Sequence, residues 1–399
     1  MPILYRPLGI TVLITFSMAS LVALAAQAPQ GPRGGGAPGV PAQGPRGGAP
    51  GGAPGAQGPR AGGGAPAPGG PRAGGGVQGE IVNIKGDLYR ARSGNYMTIF
   101  LVTPDGILLA DPISTRFATW MKDQFAERFK VPVRYVIYSH SHWDHAEGGA
   151  AFADTARFIA HENMARNMDG RIPQMPGDML DRNNNGTFEF DEIQGPMTAN
   201  QNRCGMPGSF HTSHDRDGDG RMTPTEMMAD IRKPDIFYSD HMKISLGGKT
   251  VELIYPGRNH SNDATVLYFP AERVVFATEF IADVAIGATG DPKAFPSACG
   301  PFDGSPLSEW IKSYRTVEAL DFDIFAGGHA ALGTKADVTE YRKFFEDLTA
   351  EVSAGMAQGK SLAELQQMLT MDKYKNWAGY GQRRVPTIES AYNNLKMYR

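Results

Sequence analysis

The chain has 399 residues and a formal net charge of −3, with 39 basic and 42 acidic residues, 9 histidines and 2 cysteines. The charge is unevenly placed: residues 1–76 carry five arginines and no acid, which leaves residues 77–399 at −8. A body this acidic lacks the basic footprint of a nucleic-acid binder. Two cysteines are too few for a disulfide scaffold or a cysteine-ligated zinc finger.

At the N-terminus, Arg6 precedes an apolar run over residues 8–24, with small residues at Ala23, Ala25, Ala26 and Ala28. This layout predicts a secretory signal peptide over residues 1–25. The alternative, an uncleaved membrane anchor, is weakened by Thr11, Thr15, Ser17 and Ser20 inside the run. Export makes the expected location secreted or periplasmic, with no stable membrane insertion once the signal is cleaved. Residues 26–78 read as a disordered linker. Within them, residues 29–76 hold 20 of the 49 glycines and 11 of the 29 prolines, and no acid, lysine or aromatic residue. Such a tract has too little apolar surface to offset the entropy of ordering. The folded domain is expected over residues 79–399, long enough for one large core interrupted by an insert at 170–234.

Residues 87–92, 96–103 and 107–110 read as successive strands, with turns at Lys85-Gly86 and Pro104-Asp105-Gly106. Phe117, Trp120, Met121, Phe125 and Phe129 recur at helical spacing and predict a core-facing helix. A strand over 134–139 runs into a histidine cluster; a short strand (157–160) and a helix (162–168) follow. Across the insert the period disappears, and glycine, asparagine and aspartate dominate among prolines such as Pro173, Pro196 and Pro207. Strands resume at 242–246, 250–255, 265–269 and 273–277. A helix over 307–320 leads to a strand at 323–325, and the remainder is helical, with Tyr341, Phe344, Phe345, Leu348 and Val352 on one stripe. Two blocks of strands alternating with helices predict a layered α/β protein.

The stretch Ser139-His140-Ser141-His142-Trp143-Asp144-His145 is the most informative in the chain. On an extended backbone His140 and His142 point the same way and can grip one ion. A helix starting near Asp144 turns Asp144 and His145 toward a second. With so few histidines, a chance H-x-H-x-D-H arises with odds on the order of a few in ten thousand. Imidazole with carboxylate suits zinc, and iron and manganese share the preference.

These residues resemble the metallo-β-lactamase superfamily, over nearly all of residues 79–399 except the insert. The resemblance implies a four-layer αββα sandwich with a dinuclear metal site at one edge. Its third histidine maps to His260, in Tyr255-Pro256-Gly257-Arg258-Asn259-His260, and its last to His329, in Phe325-Ala326-Gly327-Gly328-His329. The implied sets are His140, His142 and His260 for one Zn²⁺ and Asp144, His145 and His329 for the other, with Asp144 also orienting or accepting the nucleophile's proton. Where the family places a bridging aspartate, cysteine or serine, this chain has Glu279, a departure whose longer side chain can bridge, bind one ion or sit nearby. Tyr96, Arg258 and Asn259 are substrate-binding candidates. His161, His211, His214 and His241 lack matching context and are expected at the surface or in local hydrogen bonds.

The insert carries two stretches that match the twelve-residue calcium loop. One offers Asp181, Asn183, Asn185, Thr187, Glu189 and Glu192 around Gly186; the other offers Asp215, Asp217, Asp219, Arg221 (through its carbonyl), Thr223 and Glu226 around Gly220. Oxygen ligands at these spacings suit Ca²⁺. The loops resemble EF-hand loops, but Gly195, Pro196, Gly205, Pro207 and Gly208 rule out one continuous helix between them. A constitutive staple is therefore expected rather than a sensor.

The combined reading is an exported, metal-dependent hydrolase acting on a small-molecule ester, thioester, lactone, lactam or similar bond. The alternatives are an iron-dependent oxidoreductase on the same fold and a non-catalytic metal- and calcium-binding scaffold. Cys204 and Cys299 are free to bridge in an oxidising compartment, two unpaired thiols being the alternative. Thiol titration of exported, denatured, unreduced protein is expected to find no free thiol; two per chain would exclude the bridge.

Overall fold

The computed structural model describes residues 79–169, 183, 185–189, 213–281, 293–296, 305–329 and 331–398. The export signal, the linker, Asp181, Glu192, Cys204, His211 and Cys299 lie outside the described residues.

Strands β1 (Gly79–Lys85), β2 (Leu88–Ser93), β3 (Tyr96–Thr103) and β4 (Gly106–Ala110) form an antiparallel meander. Helix α1 (Thr115–Arg128) crosses over to β5 (Val133–Ile137), which pairs parallel with β4. The one-turn helix α2 (Trp143–Ala146) precedes β6 (Arg157–His161), and α3 (Asn163–Asn167) follows it. In the insert, β7 (Phe188–Glu189) pairs antiparallel with β8 (Arg221–Met222), before α4 (Pro224–Met227). Strand β9 (Ile236–Tyr238) completes the first sheet, in the order β1-β2-β3-β4-β5-β6-β9.

The second sheet starts as a meander of β10 (His241–Leu246), β11 (Lys249–Ile254), β12 (Val266–Phe269) and β13 (Val274–Phe276). Helix α5 (Leu307–Glu318) then returns the chain to β14 (Ile324–Ala326), parallel to β13, and β15 (Gly333–Thr334) closes the edge. The chain ends in α6 (Lys335–Ala357), α7 (Leu362–Met368) and α8 (Tyr380–Met397).

Three apolar layers hold these elements in the order helix, sheet, sheet, helix. Between the sheets, Leu101, Leu108 and Ile137 meet Leu253, Leu267 and Phe276. Outside the first sheet, Phe117, Met121 and Phe125 of α1 cover Phe100, Leu109 and Val136. Outside the second, Trp310 and Tyr314 of α5 and Phe344 and Phe345 of α6 cover Val266 and Val275. Every residue of β4 is buried, as expected of a strand covered on both faces. Among the described residues no helix is long and apolar enough to cross a membrane.

The predicted strands and helices fall within a residue or two of the observed ones, and Ser114 explains an early start: its side chain accepts from the Phe117 N–H and caps α1. The pattern reading omitted β1 and the short strands β7, β8, β9 and β15, each two or three residues long. The described part of the insert lacks a core of its own: Phe188, Met222, Met227, Met228 and Ile231 join the apolar layer under α1. Position 8 of both calcium-type loops is thus buried, and Phe188 pairs directly with Met222.

Gly148 fixes the path between α2 and the insert. Its φ is +84°, and an added Cβ would lie 2.4 Å from the Ser114 carbonyl carbon and oxygen, a conformation and approach open to glycine alone. Bridges from Ala146 to Ile113 and from Glu147 to Ile231 hold the two sides of this crossing.

Candidate metal centre

Every residue of the expected metal set lies beyond the end of a strand, at one edge of the two sheets. Strand β5 ends at Ile137, two residues before its expected end, and His140 and His142 stand on the loop after it with their rings 4.4 Å apart. His142 is the N-cap of α2, whose single turn presents Asp144 and His145. From the second sheet come His260, in the β11–β12 loop, Glu279 after β13 and His329 after β14.

The donor atoms converge in two groups, His140, His142, His260 and Glu279 in one and Asp144, His145, Glu279 and His329 in the other, each spanning no more than 4.8 Å. Glu279 belongs to both. Its Oε2 lies 3.3 Å from His140 Nε2 and 3.8 Å from His142 Nδ1, and contacts His260 Nε2. Its Oε1 lies 2.9 Å from His145 Nε2 and 2.6 Å from His329 Nε2. Asp144 Oδ2 lies 3.8 Å from His145 Nε2 and 3.9 Å from His329 Nε2. Asp144, His260 and His329 keep partial exposure while the other ligand-type residues are buried, so the group opens on their side.

The residues fit a pair of cations. His145 and His329 face each other Nε2 to Nε2 at 2.9 Å, and His260 Nε2 faces His142 Nδ1 at 3.0 Å; nitrogen lone pairs aimed at one another need a proton or a cation between them. His140 Nε2 is buried and makes no well-aligned hydrogen bond, with Glu279 Oε2 3.3 Å away, a costly state for a polar atom with no ligand. The far nitrogens of His140 and His329 are anchored, the usual way a ligating imidazole is oriented. Ser139 Oγ lies 2.9 Å from His140 Nδ1, and His329 Nδ1 donates to the Asn95 carbonyl (3.2 Å). Asp111 Oδ2 lies 3.3 Å from His145 Nδ1.

Electrostatics follow from the same packing. Burial, then the neighbouring His142, lowers the His140 pKa well below the usual range and keeps it neutral. Burial opposes charge on His145, but Asp144 and Glu279 outweigh it and raise its pKa well above that range. Burial likewise opposes charge on Glu279, and His260 and His145 hold its carboxyl well below the ordinary range. The backbone is bent to suit: Glu279 has φ +64°, and the Phe280 N–H donates to the Thr278 carbonyl across it (2.8 Å). A left-handed non-glycine residue costs on the order of 1–3 kcal/mol, and such strain gathers at functional sites. Beside it, a Cβ on Gly328 would meet Thr278 Cγ2 at 2.5 Å and His145 Cε1 at 2.9 Å.

A family model described as the metallo-beta-lactamase superfamily matches residues 118–329, more than half the chain. The chain belongs to the metallo-beta-lactamase superfamily. A curated relative, the 2,4-dinitroanisole O-demethylase subunit alpha of Nocardioides sp. (strain JS1661), is 23% identical over 252 residues, covering 62% of this chain and 56% of the relative. The stereoselective inverting sec-alkylsulfatase of Pseudomonas sp. is similar in fold, with a TM-score of 0.52 at 13% identity, over 78% of this chain and 49% of that one. A double mutant of a sec-alkyl sulfatase gives a TM-score of 0.54 at 14% identity, over 80% and 50%. The chain thus spans about half the length of these relatives.

In this superfamily member Tyr96 lies beside the cluster, its ring edge-on to His329 at 5.0 Å. Burial, Asp144 and Glu279 raise its pKa and keep the phenol protonated. Arg258 is exposed. Asn259, the other substrate-contact candidate, is fully buried, and its amide donates to the Gly257 carbonyl (3.1 Å) and to Ser313 Oγ (3.2 Å), tying the His260 loop to α5. His161 and His214 are buried, and His161 Nε2 donates to the Ser239 carbonyl (2.7 Å); His241 is exposed and pairs with Glu252.

Sequence reasoning missed Asp111. It is fully buried, accepts the Ser139 N–H at 2.7 Å and faces His145, so one carboxylate braces both ends of the histidine loop. An acid directly after the wholly apolar β4 was the available signal.

In the second calcium-type loop, Asp215, Asp217 and Glu226 bring carboxylate oxygens within 4.8 Å of one another. Asp219 accepts the Arg221 N–H, and Thr223 and Glu226 form the capping box of α4. In the first, Glu189 accepts from Asn183, Asn185 and Thr187.

Glu279→Gln is expected to lower transition-metal affinity about 10-fold or more, measured by competition with a chromophoric chelator. Affinity equal to wild type would make Glu279 a bystander.

Proposed function

We propose that this protein is an exported, dinuclear zinc-dependent hydrolase of small-molecule ester-type bonds. The observation that carries the reading is the Glu279 carboxylate, with one oxygen facing His140, His142 and His260 and the other facing His145 and His329. A shared carboxylate between two imidazole-rich sets suits two borderline cations held close together. His140, His142 and His260 would hold one ion, Asp144, His145 and His329 the other, with Glu279 touching both. Divalent ions supply Lewis acidity and lower the pKa of water to near neutrality.

The chain's own residues supply the rest. Asp144, partly exposed at the open side, orients the attacking water and takes its proton. His140 is held neutral by burial and needs no deprotonation to serve as a ligand. Asp111 fixes the ring of His145. Tyr96 adds a protonated hydroxyl on the His329 side, suited to a developing oxyanion. The reading needs no serine or cysteine nucleophile.

Purified protein is expected to carry two zinc ions per chain and to turn over at least one member of a panel of esters, thioesters, lactones and β-lactams. The names of the relatives add an alkyl sulfate and 2,4-dinitroanisole to that panel. His142→Ala and His260→Ala should each lose metal and abolish turnover. Iron as the resident metal, or unchanged metal content in both variants, would overturn the assignment.

The two insert loops serve, in the same reading, as a calcium staple. Position 8 is paired and buried in both, and Asp215, Asp217 and Glu226 cluster in the second. Sites of this kind bind with Kd about 10⁻⁴ to 10⁻³ M outside cells, and an ion at a hundredfold excess over Kd adds about 2.7 kcal/mol per site. Calcium is expected to raise the thermal midpoint and protect residues 170–234 from proteolysis, and Asp181→Ala with Asp215→Ala should abolish both effects while leaving the zinc content unchanged. No response to calcium in the wild type would refute the staple.

A further inference from the structure

A third group of ligand-type side chains, Glu147, His214 and Asp230, lies outside the metal centre, with donor atoms within 4.8 Å of one another. Its members are already paired. His214 Nε2 lies 2.6 Å from Glu147 Oε1, and Arg216 Nη2 lies 2.7 Å from Asp230 Oδ2. The informative feature is where it is attached.

Helix α2 has four residues, far too few to hold its shape unaided. The positions of Asp144 and His145 therefore depend on what grips its two ends. On the core side the Ile113 N–H donates to the His145 carbonyl (3.0 Å). On the other side His214 reaches both ends at once: its ring meets the Trp143 indole edge-on at 6.1 Å, and its Nε2 meets Glu147. Trp143 and Glu147 bracket Asp144 and His145 in the chain. Glu147 and His214 are both buried, so the contact is shielded from water and breaking it leaves buried polar atoms unpaired. Behind it, the Gly148 N–H donates to the Asp230 carbonyl (3.3 Å), and Glu147 forms a bridge with Ile231. Both flanks of the 215–226 loop thus close on residues 147–148.

We infer that His214 is a positioning residue of the metal centre, through which the insert holds the turn that carries Asp144 and His145. The inference rests on the proposed two-metal reading and adds to it a role for the insert. His140 and His260 sit on other segments, and His142 belongs to the loop that leads into α2 and only caps it, so the effect should fall on one metal subsite.

The test is a stepwise zinc titration of the full chain against chelators of graded affinity. His214→Ala is expected to weaken the step assigned to Asp144, His145 and His329 about 10-fold or more and to leave the step at His140, His142 and His260 unchanged, which also reports that the variant folds. His214→Gln, which keeps an N–H for Glu147, should restore most of the loss. Equal weakening of both steps, no change in the step assigned to Asp144, His145 and His329, or no rescue by glutamine would overturn the inference and leave the two-metal reading standing. A wild-type chain that binds fewer than two zinc ions would overturn both.

Discussion

A carboxylate enclosed by five imidazoles is stable only if its charge is balanced where it sits, because burial removes the water that would otherwise do so. Glu279 is in that position. Its neighbours His140, His142 and His145 come from the first sheet, and His260 and His329 from the second. The two sheets must therefore close on each other with their strand ends level. The parallel pairing of β13 with β14 brings the segments bearing Glu279 and His329 side by side, with the Ala277 N–H donating to the Ala326 carbonyl at 3.0 Å. The Thr265 N–H donates to the Ser139 carbonyl at 2.6 Å, joining the first histidine loop to the start of β12. The positive φ of Glu279 and the tight seat of Gly328 against His145 are local costs of this convergence.

The same constraint explains the care taken with orientation. An imidazole has two nitrogens, and one can face the cluster productively when the other has a partner. Asp111, Ser139 and the Asn95 carbonyl supply such partners from three different places: the end of β4, the histidine loop itself and the β2–β3 turn. Asp111 also takes the Ser139 N–H, so one buried side chain fixes both the loop backbone and a ring within it.

The insert is tied to this centre more closely than its composition suggests. With few apolar residues it cannot offset the entropy of ordering on its own. It places Phe188, Met222, Met227 and Ile231 in the apolar layer beneath α1 instead. Its anchoring and the anchoring of α2 thus belong to one packed region, and His214 lies where the two meet.

The local motifs were legible in the sequence because their chemistry is written in short spacings. The 140–145 histidine run, the acid-rich loops around Gly186 and Gly220, the stripe of α6 and the turns of the first meander all lie within reach of a few residues, where periodicity and side-chain type suffice. His260, Glu279 and His329 were found through family resemblance, since nothing in their own neighbourhoods states that they meet. The roles of Asp111, Asn259 and His214 were decided by tertiary structure alone. Asp111 is an acid after an apolar strand until the histidine loop folds over it; Asn259 is a polar loop residue until Ser313 encloses it; His214 is an unplaced histidine until Glu147 and Trp143 arrive from about 70 residues away. Sequence spacing encodes what a short segment can bind or bury. Which distant group fills the remaining hydrogen-bond valence is set by long-range packing, and that valence orients the metal-type ligands.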